Sequence, residues 1–280
     1  MKTTFIYHYY QNLPLEATLY ESLLPESKGT ILYFHGGGLI YGSRDDLPHI
    51  YLDLINQAGY SLLALNYPLA PEVKINGILS SLEEGILKLA QQPQLKEQNM
   101  DRLIYFGRSA GAYLAIQLAN STKLTSPDQL ISFYGYYSLN DPLLNQPSHY
   151  YQTYQTVPFM TIHGLISKTA LSHAPIEKRF PVYMGYRQTG TWLKELLGRK
   201  NTVEDFSLTH DDLKELPPTF IAASSSDQDV PFTISQEMSQ IIPENTTYFI
   251  ENLPHDFDSD LQNNVGLIAY QQLLTWLNTF

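Results

Sequence analysis

Short, continuously apolar runs alternate along this chain with longer stretches in which apolar residues recur every three or four positions. Thr30–Phe34, Ser61–Asn66, Leu103–Phe106 and Leu130–Tyr134 are the apolar runs, and each has the form of a strand covered on both faces. Two β-rich stretches precede them, Thr3–Tyr10 and Ala17–Leu24, with Asn12-Leu13-Pro14 reading as the turn between. Helical patterns fill the intervals. One runs from about Leu47 to Ala58, closed by Gly59 as a C-cap. A second covers Ile75 to Ala90, where Ile78, Leu79, Leu82, Ile86, Leu87 and Leu89 keep a period near 3.6. A third, of small and apolar residues, leaves the Leu103–Phe106 run and continues to about Asn120.

The rhythm fails between about Asp141 and Leu216, which is rich in Tyr, Pro, Thr, His and Gln and offers helical pieces only near Ile162–Ala170 and Thr191–Leu197. Roughly seventy residues without a sheet-like run is too long for a connection inside a compact domain, so the segment reads as an inserted cap. Strand and helix then resume with Thr219–Ala223, Phe232–Ile241, Thr246–Glu251 and a last helix from about Leu261 to Leu277. The alternation predicts an α/β fold: a mostly parallel central sheet with helices on both faces, residues 1–140 and 217–280 as core and 141–216 as cap.

Composition narrows the chemistry. The 280 residues carry 28 acidic and 17 basic side chains, a formal net charge of −11. That balance gains nothing from phosphate counterion release, which argues against nucleic acid or an anionic membrane as partner. There is no cysteine, so disulfides, cysteine-held metals and thiol catalysis are excluded. Met1–Tyr7 lacks the apolar stretch of a secretory leader and no window is long and apolar enough for a membrane helix, from which a cytoplasmic location is expected. Charged residues make up 16% of the chain while tyrosine reaches 21 residues, an excess of amphipathic rings that asks for a use.

Two glycine-flanked motifs carry the chemistry. Gly107-Arg108-Ser109-Ala110-Gly111 has the G-x-S-x-G spacing, with a strand feeding in and a helix leading out. Such a turn holds the serine strained and exposed at the top of a sheet. His35-Gly36-Gly37-Gly38 directly follows another buried strand. Three consecutive glycines are costly to order, and their use is to bring bare N–H groups against a ligand oxygen, as an oxyanion hole requires. His35 itself reads as a structural residue that bonds the loop. A nucleophilic serine needs a base, and the base needs an orienting carboxylate, in the chain order serine, acid, histidine. Asp227 and Asp229 follow the penultimate strand, and His255 follows the last one as the only histidine beyond these acids.

Laid out this way, the chain resembles the α/β-hydrolase superfamily and, within it, the hormone-sensitive-lipase-like esterases. His35-Gly36-Gly37-Gly38, Tyr67-Pro68-Leu69-Ala70-Pro71-Glu72 and Gly107-Arg108-Ser109-Ala110-Gly111 carry the likeness, which runs from about residue 17 to the end apart from the insert. The resemblance implies Ser109 as nucleophile, His255 as base and the backbone N–H groups of Gly37, Gly38 and Ala110 as oxyanion donors. The related pattern D-x-x-V-P implies Asp227 as the acid, four residues before Pro231, and leaves Asp229 as runner-up or as a cap for the following helix. Three departures stand out. Arg108 replaces the usual Asp beside the serine, where it would pair with a cap carboxylate, bind an acidic substrate or sit inertly on the surface. Pro68 replaces an Arg and puts in doubt whatever ion pair Glu72 makes. The family builds its cap largely from an N-terminal extension, whereas the long insert here follows the fourth buried strand.

The cap and the strand end before it hold eight of the tyrosines, Tyr134, Tyr136, Tyr137, Tyr150, Tyr151, Tyr154, Tyr183 and Tyr186, with Phe159 and Trp192. As a group they are expected to wall a pocket over the serine, with Arg108, Tyr136, Tyr137 and Trp192 as its named residues. His149, His163, His173 and His210 have no metal-ligand spacing, and neither metal nor cofactor is expected. The expected function is a serine carboxylesterase acting on small, fairly apolar esters, as monomer or homodimer. The alternatives are exopeptidase- or feruloyl-esterase-like activity and, outside catalysis, a small-molecule-binding homologue.

Overall fold

Eight strands form a single sheet in the computed structural model, which describes residues 1–280. They are β1 Lys2–Tyr10, β2 Leu13–Tyr20, β3 Thr30–Phe34, β4 Ser61–Leu65, β5 Leu103–Arg108, β6 Gln129–Phe133, β7 Thr219–Ser224 and β8 Asn245–Ile250. In space they run β1-β2-β4-β3-β5-β6-β7-β8. β2 is antiparallel to both of its neighbours, and every pair from β4 to β8 is parallel. Parallel strands need long crossovers, and helices supply them: α1 His49–Gln57, α2 Ile75–Ile86, α3 Ala110–Ala119, and, numbered after the six helices of the insert, α10 Phe232–Ile241 and α11 Val265–Leu277.

The continuous apolar runs have a direct cause. Successive side chains of a strand point to opposite faces, and here both faces are covered. Leu32, Phe34, Leu63 and Leu65 pack with α2, α3 and the insert, while Ile31, Tyr33, Leu62 and Ala64 pack with α1 and α11. β3, β4, β6 and β7 are buried at every position. No helix is long and apolar enough to cross a membrane.

The insert between β6 and β7 has no strand of its own. It contributes α4 Pro142–Asn145, α5 His149–Gln152, α6 Phe159–Leu165, α7 Ile176–Thr189, α8 Trp192–Leu197 and α9 His210–Lys214, and its Val182, Tyr183, Trp192 and Leu196 join the core beneath the sheet face. α7 is the longest helix of the insert and was not expected. Pro181 and Gly185 lie inside it, and its buried side includes Arg179, Arg187 and Gln188. A helix whose hidden face is partly polar leaves no apolar stripe to read.

A second difference concerns the first hairpin. The turn is Gln11-Asn12, with Gln11 at φ 53°, and Pro14 lies inside β2. β2 pairs with β4 only over Ala17–Tyr20, so the proline's missing N–H leaves no bond unmade on that side.

Candidate active site

Ser109 stands at the turn from β5 into α3 with φ 54° and ψ −123°. A non-glycine residue there is strained by about 1–3 kcal/mol and persists because its surroundings leave it no alternative. The flanking glycines provide that confinement. A Cβ on Gly107 would enter the backbone of Gly111 and Ala112, and one on Gly111 would enter that of Phe34 and His35.

The turn brings Ser109 Oγ 2.8 Å from His255 Nε2, while His255 Nδ1 lies 2.6 Å from Asp227 Oδ2. The other oxygen of Asp227 accepts the N–H groups of Asp229 and Val230 at 2.8 and 2.9 Å, so the carboxylate cannot rotate away from the ring. With Nδ1–H donating to Asp227, Nε2 of the neutral ring is the acceptor for the serine hydroxyl. Burial works against charging this imidazole. The Asp227 carboxylate, reinforced by Asp229 and Asp256, outweighs burial and pushes the His255 pKa up to about 9.

Asp229 is turned elsewhere. Tyr183 Oη donates to both of its oxygens at 2.9 Å, and Arg187 lies 3.4 Å away. It does not cap α10, whose N-cap Pro231 receives no side-chain bond.

The glycine loop lies alongside the serine. Gly37, Gly38 and Leu39 have φ of 103°, 59° and 61°, and the N–H groups of Gly37 and Gly38 donate to no backbone acceptor. Ala110 opens α3, where a helical N–H has no intrahelical partner. The insert braces this loop, since Trp192 Nε1 donates to Gly38 O at 2.9 Å and the Tyr183 ring fills the space where a Gly38 Cβ would go. His35 bonds the loop from within. Its Nδ1 is 2.8 Å from Gly36 O and its ring stacks on Tyr67 at 4.2 Å.

Arg108 neither reaches the cap nor offers a free guanidinium to substrate. It is 5% exposed, with one amino group on Asp258 at 2.9 Å and on Ser259 at 3.1 Å, Nε donating to Tyr134 Oη at 2.7 Å, and Asp46 at 3.6 Å. Asp258 is fully buried and also accepts the hydroxyls of Tyr134 and Tyr270. The strand end bearing the serine is thereby tied to the loop bearing His255. Glu72 likewise finds a partner, this time within the insert: Arg179 grips it with both amino groups at 2.8 and 2.9 Å.

A cavity of about 700 Å³ opens over Ser109. Tyr41, Tyr134, Tyr150, Tyr151, Tyr154 and Phe180 form its aromatic part. Three of the four residues named for the pocket lie outside it. Tyr136 stacks on Tyr113 at 4.9 Å in the core, Trp192 is spent on the glycine loop, and the Tyr137 hydroxyl is bound to Glu237 at 2.7 Å beside a separate, smaller hollow. The loop after β6 carries Tyr136 and Tyr137 into the core and α8 does the same for Trp192, which the count of tyrosines could not reveal. Tyr41 and Phe180 were missed. Tyr41 follows the glycine loop by three residues and was within reach of the motif, whereas Phe180 belongs to the helix that left no periodic trace. His173 lines the cavity, and no three His, Asp or Glu side chains converge so as to hold a metal ion.

Comparison with known proteins follows the same outline. Residues 31–258 match the family described as the alpha/beta hydrolase fold. An alpha/beta hydrolase superfamily protein from Enterococcus faecalis is 30% identical, with 100% of this chain and 99% of that one covered and a TM-score of 0.87. A protein of unknown function from Staphylococcus aureus subsp. aureus Mu50 is also 30% identical, at 100% and 98% coverage and a TM-score of 0.86. The carboxylesterase EstE1, cloned from a metagenomic library, shares the fold at 19% identity, covers 100% and 88%, and has a TM-score of 0.68. The non-reducing polyketide synthase prhL of Penicillium brasilianum is 29% identical in an alignment 210 residues long that covers 68% of this chain and 8% of the length of that synthase.

Proposed function

Because the chain belongs to the α/β-hydrolase fold family, we propose that it is a serine carboxylesterase of the hormone-sensitive-lipase-like kind, cleaving small esters with a largely apolar body. The observation that carries this reading is the hydrogen-bonded line from Ser109 Oγ through His255 to Asp227, 2.8 and 2.6 Å long. In the first half-reaction Oγ bonds to the ester carbonyl carbon while His255 Nε2 takes the hydroxyl proton. Asp227 keeps the ring oriented and stabilises the imidazolium. Negative charge gathering on the carbonyl oxygen is met by the N–H groups of Gly37, Gly38 and Ala110. The bond to the alcohol oxygen then breaks, and His255 returns its proton to the departing alkoxide. In the second half-reaction a water gives one proton to His255 and bonds to the acyl carbon, Ser109 Oγ leaves with that proton, and the carboxylic acid is released.

Support also comes from the unclaimed N–H groups of the glycine loop and from a cavity of small-ester size over the serine. The test is Ser109→Ala with p-nitrophenyl acetate and butyrate. Hydrolysis should vanish while circular dichroism and melting temperature stay as in the native chain, and a fluorophosphonate probe should label only the native protein. Undiminished turnover in the variant would sink the mechanism.

A further inference from the structure

The lining of the cavity is lopsided in charge. Asp46, Glu177, Asp229 and Asp256 face it, against one guanidinium, Arg108, the imidazoles of His173 and His255, and no lysine. The nearby cations are already engaged, Arg108 by Asp258 and Asp46, and Arg187 by Asp229. Every ion pair of the chain leaves Glu177 and Asp256 out.

The aromatic wall lines the same cavity. Tyr150 lies 5.1 Å from Tyr151 at 65° and 5.4 Å from Tyr154 at 81°, so neighbouring rings present their faces in different directions. An aromatic face is the negative end of the ring's quadrupole and attracts a cation within about 6 Å. The protein already uses cap aromatics in this way, because the Arg187 guanidinium sits 5.9, 5.8 and 5.5 Å from the ring centres of Tyr151, Tyr183 and Trp192. The negative field also reaches His255, where Asp229 and Asp256 add to Asp227 in holding the proton. The same two carboxylates oppose ionisation of Tyr41 after burial, and of Tyr150 after its bond to Tyr154 and burial.

We propose that the preferred substrate of this site is a positively charged ester, carrying an ammonium or quaternary ammonium group that rests on the tyrosine wall near Glu177 and Asp256. The inference rests on the esterase reading and adds the substrate's charge to it. A neutral ester fills the apolar part of the cavity but leaves both exposed carboxylates to solvent alone, and an anionic ester is repelled by the two that have no ion-pair partner. A cation–aromatic contact together with two partly screened carboxylates favours the cation by about tenfold or more in kcat/KM.

The experiment compares esters of matched shape that differ in charge, each rate being divided by that of the ester's own alkaline hydrolysis, because an ammonium group beside an ester also activates its carbonyl. Acetylcholine is paired with 3,3-dimethylbutyl acetate, and glycine betaine ethyl ester with ethyl 3,3-dimethylbutanoate, so that the charge lies on the alcohol side in one pair and on the acyl side in the other. p-Nitrophenyl acetate is run beside them, and the Ser109→Ala variant supplies the uncatalysed background. The cationic member of at least one pair should lead by about tenfold or more, and that ratio should shrink several-fold in Glu177→Gln/Asp256→Asn and in high salt. Equal rates within both pairs, with p-nitrophenyl acetate still cleaved by way of Ser109, overturn the charge assignment and leave the esterase reading standing. A cationic preference unmoved by the double substitution overturns the role given to these two carboxylates. No Ser109-dependent turnover of any ester overturns the esterase reading, and this inference with it.

Discussion

Replacing Arg108 with methionine keeps the volume of the side chain roughly constant and removes its charge from a site that is 5% exposed. Asp258, which is fully buried, then loses its 2.9 Å cationic partner. Breaking a buried pair from one side costs about 3–5 kcal/mol, because the remaining charge has neither water nor a counterion. The hydroxyls of Tyr134 and Tyr270 still donate to Asp258 at 2.7 and 3.1 Å, which puts the expected loss near the lower end, about 3 kcal/mol. At about 2–4 °C per kcal/mol for chains approaching this size, the melting temperature should fall by roughly 6–12 °C. Thermal unfolding followed by circular dichroism at pH 7 measures it. The double variant Arg108→Met/Asp258→Asn removes both charges and should recover part of the loss, with a coupling of about 1–3 kcal/mol. A melting temperature within about 2 °C of the native value, or strictly additive losses in the double variant, would refute the argument that this pair fastens the serine turn to the histidine loop.

The remaining expectations concern the same frame. His255 must be neutral to accept the serine proton, so kcat/KM should rise with pH through the ring's pKa of about 9, and Asp256→Asn should move that limb downward. A rate limb near the ordinary histidine value would contradict the field described. The folded-state pKa lies above the unfolded value of 6.5. The ring's contribution to stability is therefore complete below about pH 6.5 and is lost as pH climbs through about 9, which melting curves across that window should register. Arg179→Met leaves Glu72, whose side chain is 4% exposed, with the Ser167 N–H at 2.6 Å as a donor but no cationic partner. It should cost about 3–5 kcal/mol and loosen the insert, seen as faster proteolysis within residues 141–216. Trp192→Phe removes the bond to Gly38 O and should cost about 1 kcal/mol of stability, with kcat falling more than KM changes, as expected where the indole steadies the glycine loop proposed to hold the oxyanion.

The sheet and the motif positions were open to reading because both follow from local rules. A strand covered on both faces must be apolar at consecutive positions, as Thr30–Phe34 and Leu103–Phe106 are. A serine held in a strained turn must have glycines where backbone crowds it, as Gly107 and Gly111 do. Chain order then pointed to His255, and the structure brings that ring to Ser109. The partners of the charged groups could not be read in this way. Arg108 and Asp258 are 150 residues apart and Glu72 and Arg179 are 107 apart, and no periodicity records a contact made only when the chain has folded.

The tyrosines mark the same boundary. The sequence by itself determined that tyrosine is over-used and that eight of the 21 rings cluster before and within the insert. Which of them face a ligand was decided by the tertiary structure. Helix α5 sets Tyr150 and Tyr151 and helix α8 sets Trp192, while Tyr136 and Tyr154 lie on loops, and in each case the direction of the ring answers to packing against distant parts of the chain. Tyr136 lies in the core and Trp192 against the glycine loop, while Tyr150, Tyr151 and Tyr154 face the serine's cavity, which Glu177 and Asp256 also line.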